Sequence, residues 1–329
     1  MAMTRDELGV DKATALGLYD TMVRIRSFEE KCAEMYGKAK IGGFLHLYIG
    51  EEAVAAGVIP LLQSQDTIVS HYREHGHAIA RGLDSKRMMA ELFGRATGTS
   101  KGKGGSMHIF DASKGFLGGY AIVGGMMPVA TGLGLASNYL GTKSVCLCIF
   151  GDGAVNQGEF HESFNLASLW KLPVVFLLEN NGFGMGTRVE RVHAGKEMSR
   201  LGDSFQIPSE QVDGMDVLAV REAAGRAIDH VRSGKGPFFL EAMCYRFRGH
   251  SMADAMSYRE KAEEEVWRRR DPLPNFRRLL AVRRAATEQE LAAVEERAGR
   301  EMADAAAFAD SSPNPPREAM YEDIYREER

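Results

Sequence analysis

Two short runs of apolar residues near the middle of the chain are each followed by a polar turn. VCLCIF (145–150) leads into Gly151-Asp152-Gly153, and PVVFLLE (173–179) leads into Asn180-Asn181. Neither run alternates between apolar and polar residues, which is typical of parallel strands buried on both faces. The residues between the two runs fit one helix, with apolar positions at Phe160, Phe164, Leu166, Ala167 and Trp170. The pattern therefore predicts a strand–helix–strand unit.

The rest of the chain continues this alternation of helical and strand-like patterns. Helices are predicted at 12–38, 51–62, 85–94, 127–140, 216–234 and 287–309, the last with a solvated outer face. Strands are predicted at 66–70 and 237–246, a glycine-rich loop at 98–106 and a long loop at 182–208. The alternation predicts an α/β fold, doubly wound, with a mostly parallel sheet and helices on both faces. We expect a single domain over residues 1–310 and a polar C-terminal tail over 311–329.

The two polar turns have the chemistry of a magnesium diphosphate site. Asp152 offers a carboxylate and Asn181 an amide oxygen, and both follow strands whose carboxyl ends bind ligands in open parallel sheets. A helix beginning near Asn156 would direct free N–H groups at the anion. Gly-Asp-Gly by itself is more often a plain strand–turn–helix corner with Asp as the N-cap. The asparagine pair at the next strand end favours the metal.

The segment GDGAVNQGEFHESFNLASLWKLPVVFLLENNGFGMGT (151–187) resembles the alpha chain of 2-oxo acid dehydrogenase complexes. The resemblance extends from roughly residue 15 to 310 and includes GFLHLYIGEEA (43–53), HYREHGH (71–77), KGKGGSMH (101–108), GGYAIVGG (118–125) and YRFRGHSMADAMSYR (245–259). Pyruvate dehydrogenase alpha chains match best, and acetoin dehydrogenase alpha chains are near relatives. The resemblance implies the thiamine diphosphate-binding fold, with thiamine diphosphate and Mg²⁺ as cofactors.

The resemblance also implies roles for individual residues. The metal ligands would be Asp152, Asn181 and the backbone carbonyl of Phe183. The diphosphate would be held by Tyr72, Arg73, Gly153, Ala154 and His250, and the aminopyrimidine by backbone groups at Ala121 and Val123. His46, His250 and Ser251 would serve catalysis, with His46 donating to the carboxylate of the oxo acid.

Several of these residues have simpler interpretations when the resemblance is set aside. His46, between apolar residues, is by default a core histidine; Tyr72-Arg73 is a surface pair; and a loop residue such as His250 is usually just exposed. Ala121 stands where most relatives have Gly, and Phe183 where many have Tyr. Because only backbone contacts are expected there, neither change should matter.

One part of the implied active site has no counterpart in the chain. Thiamine chemistry needs a carboxylate beside the pyrimidine, and in this family it comes from a separate beta chain. Glu51 and Glu52 are available, but they fit a helix start whose dipole favours acids. The resemblance therefore implies an α2β2 heterotetramer that decarboxylates a 2-oxo acid, pyruvate above all, and acetylates a lipoyl group on an acyltransferase core.

Two other substrate classes and one other function stay open at this point. Acetoin is the nearest alternative donor, and branched-chain 2-oxo acids come third. This chain alone does not decide among these substrates, because half of the substrate pocket would lie on the beta chain. A different class is a non-catalytic module that binds a nucleoside phosphate through Asp152 and Mg²⁺. It has little support, since no Lys-Ser/Thr follows KGKGG (101–105) in a Walker arrangement.

Composition limits which partners and which cellular compartment we expect for the protein. The 329 residues are 44% hydrophobic and carry a net charge of −4, which gives no reason to expect nucleic acid binding. No apolar run approaches the ~18 residues of a membrane helix, and MAMTRDELGV has no hydrophobic signal core. The four cysteines fit packing roles in a reducing compartment, so we expect a cytoplasmic protein.

Overall fold

The computed structural model describes residues 8–195 and 197–325. Residues 1–7, which belong to the segment that was expected to contain no signal core, lie outside this described part. Residues 326–329 of the predicted tail lie outside it as well. Its main strands are β1 (Thr67–His71), β2 (Phe116–Tyr120), β3 (Cys146–Gly151) and β4 (Val174–Asn180), then a hairpin of β5 (Phe183–Gly184) and β6 (Thr187–Arg188), then β7 (Ser209–Asp213) and β8 (Phe238–Met243). Its helices are α1 (Lys12–Gly37), α2 (Glu52–Val58), α3 (His75–Arg81), α4 (Ser85–Leu92), α5 (Met126–Leu140), α6 (Gly158–Leu169), α7 (Val217–Arg232), α8 (Lys261–Arg268), α9 (Pro272–Val282) and α10 (Glu288–Ser311).

Six strands form one parallel sheet in the order β2-β1-β3-β4-β8-β7. From β1 the chain first goes outward to β2 and then crosses back to β3, from which it continues in the other direction. The strand order thus reverses between β1 and β3. In open α/β sheets the crevice outside the carboxyl ends of the strands at such a reversal binds ligands. The predicted α/β class, with a mostly parallel sheet and helices on both faces, is confirmed.

Both faces of the sheet are covered, and β3 shows why its sequence does not alternate. Leu147 and Ile149 pack into a core shared with α1 to α4, α7 and α10. Cys146, Cys148 and Phe150 point the other way, into a core shared with α5 and α6. Successive side chains of a strand face opposite sides, so a strand buried on both sides must be apolar at every position.

Most long helices begin at a side chain that satisfies their free N–H groups. These N-caps are Asp11, Asp84, Asp216, Asp271 and Thr287, before α1, α4, α7, α9 and α10. Thr287 forms a capping box: it accepts from the N–H of Glu290 (3.2 Å) while its own N–H donates to that carboxylate (2.8 Å). Only the outer face of α10 is solvated, because Leu291, Met302 and other residues of its inner face are buried.

Some elements differ from the sequence-based prediction. The helices α3, α8 and α9 and the strands β2 and β7 were not predicted; β2 is interrupted by Gly118-Gly119 and β7 is largely polar. The predicted strand at 237–246 ends at Met243, so Cys244 lies just beyond it. Trp170 lies after α6 and is 46% exposed, whereas Phe160, Phe164 and Ala167 are buried as predicted.

All four cysteines are buried free thiols, so their predicted packing role is compatible with the structure. Within the described residues, no helix is both long enough and apolar enough to cross a bilayer. The division into a domain over 1–310 and a tail over 311–329 stays a prediction.

The contact between α2 and α7 predicts an effect of glycine replacement on stability. A Cβ on Gly57 would lie 2.7 Å from Cγ1 of Val220 and 3.1 Å from the backbone N of Arg221, whereas a Cβ on Gly225 would meet no heavy atom within 4 Å. We expect Gly57→Ala to lower the free energy of unfolding by about 1–3 kcal/mol and Gly225→Ala to raise it by up to about 1 kcal/mol. Urea denaturation measures both, and equal midpoints would contradict the close packing.

Candidate functional site

The carboxyl ends of β1, β3 and β4 surround a cavity of about 380 Å³. It lies beside the reversal of strand order between β1 and β3. The charged groups on its wall are three carboxylates and two guanidinium groups, those of Glu51, Asp152, Glu179, Arg73 and Arg246. All five side chains are nearly or fully buried. Because buried charges need compensation, the pairing of these groups decides what the cavity can bind.

Asp152, directly after β3, is a buried carboxylate with an unused oxygen. It is 3% exposed, and its Oδ2 has no hydrogen-bond partner among the described residues. Burial raises the pKa of Asp152 to about 6, although Arg246 and the backbone N–H groups of Gly153 and Phe183 oppose this shift. A bound cation would compensate the charge, so Asp152 is suited to be a metal ligand.

Asn181 reaches the same end of the cavity in a fixed orientation. Its Nδ2 donates to Oε1 of Glu51 (2.9 Å), and its Oδ1 accepts from the backbone N–H of Phe183 (3.2 Å). Because Oε1 of Glu51 accepts from one end of the amide and the N–H of Phe183 donates to the other, these two contacts determine which end carries the oxygen. That oxygen keeps a lone pair for a ligand. Asn180 instead donates to Oε1 of Glu241 (2.7 Å), so only one member of the asparagine pair lines the cavity.

The hairpin β5–β6 brings Phe183 next to the Gly-Asp-Gly turn. Gly182 has φ +79°, a left-handed conformation that glycine adopts without strain, and it turns the chain into the hairpin. A Cβ on Gly153 would lie 3.5 Å from Cα of Gly184, so the two backbones are in close contact. The backbone of Phe183 therefore stands beside Asp152, where a carbonyl ligand would be needed.

Tyr72 and Arg73 follow β1 and both line the cavity, so they are not a surface pair. Arg73 is 3% exposed; its Nη1 donates to the carbonyl of Leu47 (2.8 Å) and its Nη2 to the carbonyl of His250 (2.9 Å). Each of these nitrogens keeps a second N–H for an anion. Burial raises the pKa of Tyr72, so its phenol stays protonated and can also donate.

His250 and His46 form an aromatic cluster with Tyr72. The ring of His46 lies 4.6 Å from that of Tyr72 and 5.1 Å from that of His250. Burial, with Arg73 as the next cause, lowers the pKa of His46 to about 2 and that of His250 to about 4. Both imidazoles are therefore neutral at neutral pH. His250 lines the cavity, whereas His46 contacts its lining residues without being one of them.

The other predicted site residues divide into two groups. Val123, Gly153 and Ala154 line the cavity, whereas Ala121 and Ser251 do not. Ala121 lies in the turn between β2 and α5. Ser251 is partly buried, and its carbonyl accepts from the N–H of Asp254 (3.0 Å). The geometry thus brings most of the predicted residues together, while the roles of all of them stay predictions.

Three charged residues of the cavity were missed from the sequence, namely Glu51, Glu179 and Arg246. Arg246 was placed inside the predicted strand, but β8 ends earlier and the side chain turns into the cavity wall. Its Nη2 donates to the carbonyl of Met185 (3.1 Å) and to the hydroxyl of Tyr258 (3.2 Å). Glu51 was assigned to a helix start, but its side chain makes no capping bond and faces Asn181. For Arg246, the available signal was an arginine three residues after the end of a largely apolar strand.

Comparison with known proteins agrees with this geometry. Residues 20–318 match the family described as "Dehydrogenase E1 component". The chain is 49% identical over 314 residues to the pyruvate dehydrogenase E1 component subunit alpha of Rhizobium meliloti (strain 1021), covering 95% of this chain and 90% of the relative. The identity is 46% over 316 residues to the protein of the same name from Zymomonas mobilis subsp. mobilis, covering 95% and 89%. With the one from Porphyra purpurea it is 44% over 317 residues, covering 94% and 92%.

The match covers most of the chain and includes every segment that forms the cavity wall. The chain therefore belongs to the dehydrogenase E1 component family. This confirms the family inferred from the Gly-Asp-Gly and Asn-Asn segments.

The buried charge of Asp152 predicts a stability effect in the ligand-free chain. We expect Asp152→Asn to raise the free energy of unfolding by about 1–3 kcal/mol at neutral pH, because burial disfavours the ionised form. Native Asp152 takes up its proton at a higher pH than in the unfolded chain, with a pKa of about 6 against 3.8, so the gain should shrink as the pH falls through this window. Urea titrations at several pH values measure it. Asp203 is exposed, so Asp203→Asn serves as the control for loss of a charge. If the free energy of unfolding gained by Asp152→Asn does not vary with pH, the raised pKa of Asp152 is contradicted.

Proposed function

We propose that this chain is the cofactor-binding alpha subunit of an E1 component that decarboxylates pyruvate oxidatively. The acetyl group would be transferred to a lipoyl group carried by an acyltransferase core. The proposal rests on the family, on the shared name of the relatives described above and on the charges of the cavity.

The observation that carries the proposal is a pair of buried carboxylate oxygens in the cavity that accept no hydrogen bond. Oδ2 of Asp152 and Oε2 of Glu51 have no hydrogen-bond partner in the described part of the chain, and the cation nearest to Oε2 of Glu51 there is Nε of Arg73, 3.7 Å away. The wall has one more carboxylate than guanidinium group. An anion alone would therefore meet net negative charge, whereas an anion that brings a divalent cation would satisfy both kinds of group. Magnesium with a diphosphate has this charge pattern.

The donors present fit thiamine diphosphate. Mg²⁺ would be held by Asp152, Asn181 and the backbone of Phe183. The diphosphate would be held by Tyr72, Arg73, His250, Gly153 and Ala154, and the aminopyrimidine by backbone groups at Ala121 and Val123. Once bound, thiamine diphosphate supplies the carbanion chemistry that decarboxylation of a 2-oxo acid requires. The task of this chain is to orient the cofactor and to keep its phosphate end away from water.

The neutral imidazoles support an oxo acid as substrate. His250 faces the cavity, and His46 packs against it and against Tyr72. A neutral imidazole offers one N–H, which is suited to a substrate carboxylate. Ser251 follows His250 and is a further candidate at the entrance. Acetoin lacks a carboxylate, so these donors favour pyruvate over the acetoin alternative.

The surface of α5 supports the need for a beta subunit. One face of α5, with Ala130 and Gly134, packs against the sheet. The opposite face carries an exposed stripe at helical spacing: Pro128, Gly132, Leu135, Ala136 and Tyr139. Leu135 is 45% exposed and Tyr139 88% exposed, which favours a protein partner on this face.

The two glutamates that line the cavity already accept hydrogen bonds from side chains of this chain. Glu51 contacts Asn181 at the metal end, and Glu179 accepts several hydrogen bonds. Neither is free to contact the pyrimidine, so the activating glutamate would come from the beta subunit of an α2β2 heterotetramer. The buried thiols support work in a reducing compartment, which we take to be the cytoplasm.

Removal of the metal ligands should abolish cofactor binding. In the assembled protein, Asp152→Ala should eliminate Mg²⁺-dependent binding of thiamine diphosphate, and Asn181→Ala should weaken it by about 10- to 100-fold. Calorimetry with and without a chelator measures this, with Mg²⁺–ATP as the competing ligand class. The exposed Asn314→Ala controls for loss of an amide. Wild-type affinity in folded Asp152→Ala, or a preference for ATP, would refute the assignment.

The reaction itself tests the proposed function. With Mg²⁺, thiamine diphosphate and an artificial electron acceptor, the purified chain should not turn over pyruvate, and activity should appear when a beta subunit is added. In that assembly pyruvate should be used at least about tenfold better than acetoin in kcat/KM, or roughly 1.4 kcal/mol of transition-state free energy. His46→Ala should reduce pyruvate turnover more than cofactor binding.

The assay of the chain alone and the comparison of donors can each contradict the proposal. Robust turnover by the chain alone would mean that one of its own glutamates activates the cofactor. A preference for acetoin or for branched-chain 2-oxo acids, measured in direct competition, would assign the protein to the corresponding alternative.

A further inference from the structure

A buried carboxylate joins three separate segments beside the cavity. Oε2 of Glu179 lies 2.8 Å from Nε2 of His71, and its Oε1 lies 3.0 Å from Nε2 of His77 and accepts from the hydroxyl of Tyr48. Burial raises the pKa of Glu179, but the two histidines outweigh burial and hold it well below its usual range. Glu179 thus accepts from three side chains, and it is 1% exposed.

The hydrogen bonds of His71 determine which of its nitrogens carries the proton. The backbone N–H of Arg73 donates to Nδ1 of His71 (3.0 Å), so Nδ1 must present a lone pair. Burial lowers the pKa of His71 and keeps the ring neutral. Its single proton is therefore on Nε2, from which it is donated to Glu179. The chain of contacts runs from Glu179 through the imidazole to the backbone of Arg73.

This chain of contacts connects the two halves of the site. β3 lies between β1 and β4, and Glu179 pairs with Gly151 across β3 and β4. The metal ligand Asn181 is two residues beyond Glu179, and Tyr72 and Arg73 directly follow His71. The hydrogen bond between Glu179 and His71 thus spans the end of β3. It ties the strand end with the diphosphate donors to the strand end with the metal ligand.

We propose that Glu179 and His71 are positioning residues for the cofactor. Glu179 holds the imidazole of His71, which holds the backbone of Arg73, and this sets the distance between the diphosphate donors and the Mg²⁺ ligands. The proposal rests on the proposed function, since it concerns the same Mg²⁺ diphosphate.

The same three side chains could also be considered as a metal site. Ligand atoms of His71, His77 and Glu179 lie within 4.8 Å of one another. A metal at Nε2 of His71 would require the proton to move to Nδ1, where it would face the N–H of Arg73 at 3.0 Å. Two donors would then oppose each other in a buried place, so the geometry favours the hydrogen-bonded network over a second metal.

Two substitutions of His71 separate its two hydrogen bonds. His71→Gln places an amide nitrogen near the position of Nε2, which keeps the donor to Glu179 but removes the acceptor for Arg73. His71→Asn places a carbonyl oxygen near the position of Nδ1 and does the reverse. In the assembled protein we expect His71→Gln to weaken binding of Mg²⁺–thiamine diphosphate and of Mg²⁺–pyrophosphate at least about tenfold. His71→Asn and Glu179→Gln keep an acceptor for the N–H of Arg73, but this acceptor is no longer held in place by the hydrogen bond between His71 and Glu179. These two substitutions should therefore have smaller effects of about three- to tenfold.

The decisive comparison is a double-mutant cycle with Arg73. In an Arg73→Ala background, His71→Gln should change the affinity by less than about threefold, because the side chain that it positions is gone. An undiminished effect in that background would overturn the proposal.

A control and a second readout separate positioning from general destabilisation. His75 forms an equally buried pair with Glu29 (3.0 Å), and among the described residues neither of them hydrogen-bonds to Arg73, so His75→Gln should lower Tm while leaving the affinity within about threefold. An equal loss of affinity in His75→Gln would overturn the proposal.

Hydrogen exchange of the ligand-free protein should show a protected Arg73 amide that becomes unprotected in His71→Gln but not in His71→Asn. Fast exchange of this amide in the wild type would also overturn it. Absence of wild-type cofactor binding with an intact exchange pattern would instead refute the proposed function.

Discussion

The ionised groups enclosed at the carboxyl end of the sheet impose the main constraint on this structure. Charges removed from water need partners, and the described wall of the cavity brings together Glu51, Asp152, Glu179, Arg73 and Arg246. Glu179 is satisfied by three donors, and both arginines donate to backbone carbonyls. The ends of β1, β3 and β4 must therefore keep their relative positions, and the helices on both faces of the sheet hold them there.

Against this background the unsatisfied oxygens are informative. Asp152 and Glu51 each keep one buried oxygen that accepts no hydrogen bond in the described part of the chain, and the pKa of Asp152 is raised to about 6, chiefly by burial. Such an arrangement lowers the stability of the ligand-free chain, and it persists where a ligand compensates for it. The carboxylate of Asp152 would bind a divalent cation, and the same carboxylate lowers the free energy of unfolding when no cation compensates its charge.

The chain also leaves part of its apolar surface uncovered. α5 buries Ala130 and Gly134 against the sheet while presenting Leu135 and Tyr139 to solvent, so one helix serves both the core and an outer surface. Of the cavity carboxylates, Glu51 accepts from Asn181, and Glu179 accepts from Tyr48, His71 and His77. Together these features support the proposal of a composite site whose second half comes from another chain.

The sequence by itself determined the strand–helix–strand unit, the parallel sheet and the positions of Asp152 and Asn181. Apolar runs and glycine turns are local signals that survive folding. It did not determine β2, β7 or the end of β8, because a glycine-interrupted or polar strand depends on its neighbours for its hydrogen bonds. For the same reason Arg246, Glu51 and the link from Glu179 through His71 to Arg73 came only from the tertiary structure. These residues are up to about two hundred positions apart in sequence, and only strand order brings them into contact.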